Sequence, residues 1–157
     1  MLGKLGKWLR LLGLDCADVV SADDRANLAH ARREERILLT RDSKLIHELA
    51  TPADRCWLLV TGDWIEQLRE VVAVFRLAPH VRLFTRCCLC NTPLEPADPA
   101  AAQAAIPAGS LAHGSHFSRC PRCGKFYWRG DHTRNMTARL AALAFPMVNP
   151  YNECPRE

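Results

Sequence analysis

The chain has 157 residues, of which 48% are apolar and 24% charged, an ordinary globular composition that excludes a disordered or fibrous class. Its net charge of +4 divides into +1 over 1–84 (13 basic, 12 acidic) and +3 over 85–157 (8 basic, 5 acidic), a mild basic bias that suits a phosphate-bearing partner without requiring one. No apolar run approaches the roughly 20 residues that cross a bilayer, and the basic N-terminus, interrupted by Arg10 and with Asp15 just before Cys16, lacks an export signal's core and cleavage site, so no membrane association and a cytoplasmic location are expected.

Leu2, Leu5, Trp8, Leu9 and Leu12 recur at helical spacing, predicting an amphipathic helix over 2–12 that Gly13 stops. Residues 16–20 suit a short strand. Ser21, with Asp24 three residues on, resembles a capping box opening a helix over 22–35. Residues 36–40 form a compact apolar strand. Asp42 opens a short helix through Ala50, 55–60 is a third strand, and 62–76 a further helix. Alternating strands and helices imply βαβ units, a parallel sheet and right-handed crossovers that put helices on both faces. An α/β domain over 1–80 follows.

Past Pro79 the texture changes. Residues 91–109 are rich in Pro and Ala and are expected to form a loop inserted between two cysteine pairs. Residues 136–145 suit a short amphipathic helix, and the 136–157 tail is helical or frayed. No internal repeat is evident beyond the cysteine pairs.

Eight cysteines in a reducing compartment argue for metal before disulfide. Cys87 with Cys90, and Cys120 with Cys123, are each C-x-x-C, a spacing that lets one tight turn place two thiolates on one metal. Gly124 tolerates the positive φ that such a knuckle needs. Cys88 cannot replace Cys87 without losing the spacing. The four predict a closed, structural Zn²⁺ site within a zinc ribbon over 85–135, with His113, His116 and His132 as competing ligands and a redox dithiol or buried thiols as the alternatives. Phe126, Tyr127 and Trp128 either stack on bases or pack around the module. Cys16, Cys56 and Cys154 are buried or spare thiols.

In a parallel sheet functional groups collect where strands end and helices begin. Asp23 and Asp24, Asp42, and Asp63 occupy such places. Converging there, carboxylates can hold Mg²⁺ or Mn²⁺ and support attack of water on a phosphodiester. The same residues are also good helix N-caps.

Taken in order, LGKLGKWLRLLGLD (2–15), ADD (22–24), RILLTRD (36–42), EQLREV (66–71), RCCLCNTPLEP (86–96) and CPRCGKFYWRGDH (120–132) resemble the mut-seven C-terminal RNase family. That family couples a PIN-like nuclease domain to a C-terminal zinc ribbon. The resemblance implies metal-dependent RNA cleavage, with Asp42 as the acid of the TRD motif, Asp23 and Asp24 as the acidic pair, and Asp63 as a further acid, around Mg²⁺ or Mn²⁺. Lys4, Lys7, Arg10 and Arg41 would meet RNA phosphates, or be a solvated helix face. The alternatives are a non-catalytic RNA-binding or adaptor module and a protein-interaction module using the ribbon. The family pattern begins with an apolar strand ending in Asp ahead of the leucine-rich helix, so the chain is expected to be N-terminally truncated, and inactive or poorly folded alone.

Overall fold

The computed structural model describes residues 2–106 and 116–142. Helix α1 (Gly3–Leu11) buries Leu5 and Leu9, and Leu12 just beyond it is also fully buried. It ends in a Schellman turn: Gly13 at φ +82° donates to Arg10 O at 2.9 Å and Leu14 to Leu9 O at 3.0 Å. Only glycine fits there, since a Cβ would lie 2.0 Å from Arg82 O. Arg82 and Phe84 in turn donate to Leu12 O and Leu11 O at 2.8 and 2.9 Å.

The strand expected at 16–20 does not form, and Val19 and Val20 are exposed. Side chains take the backbone groups that a neighbouring strand would have used. Cys16 N donates to Asn91 Oδ1, Cys16 O accepts from Arg10 Nε, and Val20 N and Ser21 N both donate to Asn27 Oδ1. Helix α2 (Asp24–Arg33) is capped by Asp23 and not by Ser21, whose hydroxyl accepts instead from Asp23 N.

Strands β1 (Leu38–Thr40) and β2 (Cys56–Leu58) pair in parallel, with Leu38 opposite Cys56 and Thr40 opposite Leu58. Among the described residues this sheet has two strands. Between them the helix opened by Asp42 widens into a π-type turn over Leu45–Leu49. Helix α3 (Trp64–Val74) buries Leu68, Val71 and Val72 and packs on α1, where Trp8 and Trp64 stack at 4.9 Å.

The Pro/Ala-rich segment is not a plain loop. It holds β3 (Glu95–Pro96) and helix α4 (Pro99–Ala105). Asp98 caps the helix and Pro99 takes its first position, where the missing N–H costs nothing, and alanine propagates it. Strands β4 (Phe117–Arg119) and β5 (Phe126–Trp128) complete an antiparallel sheet in the order β3-β4-β5. Helix α5 (Asp131–Ala142) begins five residues before the predicted 136. The rest of the predicted helix and tail, with His113 and Cys154, lies outside the described residues. Leu140 of α5 is fully buried in one cluster with Leu5, Leu9, Leu59, Leu68 and Leu83, so core residues from both ends of the chain pack together.

Candidate metal centre and acidic strand ends

Each C-x-x-C pair sits at the tip of a short antiparallel turn. Arg86 bridges Pro93 around the first, and Arg119 pairs with Phe126 around the second. The backbone repeats bond for bond. Asn91 N donates to Cys87 O and Gly124 N to Cys120 O, both at 2.9 Å; Cys87 N donates to Thr92 O and Cys120 N to Lys125 O, again at 2.9 Å. The turning residue has positive φ in both, +66° at Asn91 and +74° at Gly124. Asn91 is therefore the counterpart of Gly124, and asparagine's tolerance of this region was the signal that could have revealed it.

The knuckles face each other. The sulfurs of Cys87, Cys90, Cys120 and Cys123 all lie within 4.8 Å of one another, with Cys87 to Cys123 at 3.6 Å and Cys90 to Cys120 at 3.4 Å. A tetrahedral ion with bonds of about 2.3 Å sets sulfurs about 3.8 Å apart, so the site fits zinc. Hydrogen bonds from Thr92 bring the Cys90 thiol down to about 6, favouring the thiolate that a metal binds. Cys90 Sγ lies 3.4 Å from Thr92 Oγ1. The Tyr127 hydroxyl is 3.0 Å from Cys87 Sγ and accepts from Cys88 N at 3.2 Å, an outer-shell contact that orients the first knuckle. His116 and His132 are not in the four-cysteine group. Cys16 and Cys56 are half-buried, and burial pushes both thiols up. Phe126, Tyr127 and Trp128 form β5 and are half-buried.

The acidic residues have a different geometry. Three segments, Ser21-Ala22-Asp23, Thr40-Arg41-Asp42 and Thr61-Gly62-Asp63, share one arrangement. In each the hydroxyl accepts the aspartate's N–H, at 3.0, 3.0 and 3.2 Å. Oδ1 of each aspartate then caps the next turn, accepting from Arg25 N for Asp23, from Lys44 N and Leu45 N for Asp42, and from Ile65 N and Glu66 N for Asp63. The repeated [ST]-x-D was legible in the sequence and was missed. Because β1 and β2 are parallel, Asp42 and Asp63 both follow the C-terminal end of the sheet's strands. Asp24 is the first residue of α2 and half-buried. Gln67, buried, donates to Thr61 O at 2.7 Å and holds the third turn. Among the described residues no three carboxylates come within reach of one ion.

The basic residues divide. Lys4 and Lys7 are exposed on α1, Lys4 with its ammonium 4.5 Å from the Trp64 ring. Arg41 is exposed beside Asp42, and its Nη2 lies 3.8 Å from where a Cβ on Gly62 would stand. Arg10 is a correction: at 2% exposure it cannot meet a phosphate, because α1 turns it against the first knuckle.

The profile of the Mut7-C RNAse domain matches residues 1–140. The chain belongs to this RNase domain family. Membership points to nuclease-like chemistry and to RNA as substrate or partner, and the four-cysteine group fits its zinc ribbon. No curated protein and no solved structure matches the chain at a significant level. Among the described residues no helix is long and apolar enough to cross a membrane.

Proposed function

We propose that this Mut7-C chain is a metal-dependent ribonuclease: a PIN-like α/β half over 1–80 carries hydrolysis of RNA phosphodiesters, and a zinc ribbon over 85–135 braces it. The observation that carries the reading is the triple [ST]-x-D turn. Each turn fixes an aspartate through Oδ1 while Oδ2 takes no hydrogen bond among the described residues, in a chain of an RNase family. Mg²⁺ or Mn²⁺ is commonly held by one or two carboxylates together with substrate phosphates, and Asp42, Asp24, Asp23 and Asp63 offer oxygen donors of that kind. Such an ion supplies an activated water and charge for the leaving oxygen. The protein's own part is to hold these carboxylates still, and to bring Lys4, Lys7 and Arg41 to the phosphates.

The test is incubation of the purified chain with mixed single-stranded RNA and Mn²⁺, with and without a chelator that leaves zinc bound. Cleavage is expected with Mn²⁺, and neither with chelator nor in Asp42→Asn, which keeps the shape and cap but loses the charge. Full activity in a folded Asp42→Asn chain removes Asp42 from the mechanism. A second reading, a non-catalytic RNA-binding adaptor, is favoured by the failure of any three described carboxylates to converge. Steeply salt-dependent RNA binding without cleavage would decide for it.

A further inference from the structure

Between the α/β half and the ribbon lies a dense polar joint centred on Arg10. The same side of α1 carries Gly6, where a Cβ would meet Cys16 Sγ at an ordinary 3.7 Å. Arg10 Nε donates to Cys16 O at 2.6 Å, Nη1 to Cys88 O and Leu89 O at 3.3 and 3.2 Å, and Nη2 pairs with Asp18 at 2.7 Å. Cys88 and Leu89 are the two residues between the first pair of metal ligands. A second tie runs through Asn91, the turning residue of the same knuckle. Its Oδ1 accepts Cys16 N at 3.1 Å, and its Nδ2 donates to Asp15 at 2.6 Å. Asp15 is itself clamped by Arg36 at 3.0 and 3.1 Å, and Arg86 donates to Asn91 O at 2.8 Å.

We propose that zinc in the Cys87, Cys90, Cys120 and Cys123 site sets the conformation of residues 15–18 through Arg10 and Asn91, so that metal occupancy of the ribbon controls the segment leading to Asp23 and Asp24. The inference rests on the zinc reading of the four cysteines and not on catalysis. Two carbonyls can face Arg10 together only while Cys87 and Cys90 turn their sulfurs to one centre, because that constraint defines the intervening turn. Without the ion, four crowded thiols have no attraction of comparable strength to hold the knuckle shut. When it opens, the carbonyls of Cys88 and Leu89 turn away. Arg10, buried, then loses two of its acceptors, and a buried charge with unmet donors is unstable in place. It must move, and Cys16 and Asp18 move with it. Coupling is reciprocal, so Arg10 and Asn91 also strengthen zinc binding.

Hydrogen exchange of the full chain, with and without zinc, reads this directly. The Cys16 amide, whose acceptor is Asn91 Oδ1, should exchange at least about tenfold faster in the zinc-free chain, while the amides of Val71 and Val72 in α3 keep their protection. Asn91→Gly keeps a residue suited to positive φ but removes both side-chain ties. It should still bind one zinc per chain, with affinity reduced about 10–100-fold as for other outer-shell changes, and should expose the Cys16 amide even when loaded. Arg10→Lys retains charge without the fork and should fall between Asn91→Gly and the parent. Unchanged Cys16 exchange on zinc removal, or exchange rising only in step with Val71 and Val72, overturns the proposal. So does a loaded Asn91→Gly chain with full Cys16 protection. Absence of zinc from chain purified without chelator, measured separately by metal analysis, removes the zinc reading and the joint together.

Discussion

Replacing Gly13 with alanine should be among the most damaging single changes in the α/β half, although it adds one methyl group at a helix end. Gly13 has φ +82°, and an L-residue in the left-handed region costs about 1–2 kcal/mol. The new Cβ would also stand 2.0 Å from Arg82 O and 2.6 Å from Thr85 Oγ1, where contacts under 3.0 Å are essentially never tolerated. The carbonyl of Arg82 must therefore retreat. That motion strains the Arg82 N to Leu12 O bond and the Thr85 hydroxyl bond to Arg82 O, both 2.8 Å, each worth about 1 kcal/mol. The total is about 3–4 kcal/mol, or roughly 10 °C in melting temperature for a chain of this size. Urea and thermal unfolding of the zinc-loaded chain measure it. Gly6→Ala is the internal control. Gly6 lies inside α1, and its Cβ would meet Cys16 Sγ at an ordinary 3.7 Å, so that change should stabilise by up to about 1 kcal/mol. A Gly13→Ala protein within about 0.5 kcal/mol of the parent would refute the account of how α1 is joined to residues 82–85.

Three further outcomes are expected. Cys120→Ser should reduce bound zinc from about one ion per chain to none in metal analysis and unfold the β3-β4-β5 sheet by circular dichroism, because structural zinc binding contributes folding free energy directly. Arg76→Gly should raise the unfolding free energy measured in urea by about 0.5–1 kcal/mol, since Arg76 closes α3 at φ +51° in the kind of turn that suits glycine. The third concerns acid: hydrogen bonds from Arg36 hold the Asp15 carboxyl below its usual range, so its contribution is complete above about pH 5 and lost as pH falls through the lowered folded value. Between pH 5 and 3 the urea midpoint should fall less steeply in Asp15→Asn than in the parent.

What could be read in advance was what local periodicity and local spacing encode. The stripe of Leu5, Leu9 and Leu12 announced the buried face of α1, and two C-x-x-C pairs announced one metal centre. What was missed depends on partners distant in the chain. Residues 16–20 have strand composition, but the acceptors that replace a neighbouring strand come from Asn27 and Asn91. Arg10 lies off the apolar stripe and therefore suggests solvent, until the first knuckle lands on that side of the helix. Glu35 and Arg76 adopt positive φ without being glycine, and no local signal marks them. At Gly13 the glycine is required by the neighbouring Arg82 carbonyl as well as by φ, so there the residue type itself marked the helix end. Helix α4 was hidden because proline counts as a breaker until one notices it at the first helical position after an Asp cap.

From the sequence, the aspartates posed a choice between helix caps and metal ligands. The geometry removes the opposition. Capping by Asp23, Asp42 and Asp63 uses Oδ1, whereas an ionised carboxylate has about four acceptor sites over two oxygens. A side chain held by its own hydroxyl-led turn and by one or two backbone N–H groups has already lost its rotamer freedom. A cation binding to the other oxygen does not have to supply that ordering, and the ordering of a free side chain costs on the order of 0.5–1.5 kcal/mol. For an aspartate that did bind a cation, the cap would thus serve as the support that a precise oxygen ligand needs. The difference between a mere cap and a ligand then lies in what surrounds Oδ2, not in whether Oδ1 is occupied. That is why asparagine, which can still cap but carries no charge, separates the two roles at Asp42, whereas alanine would abolish both and leave the cause of any loss undecided.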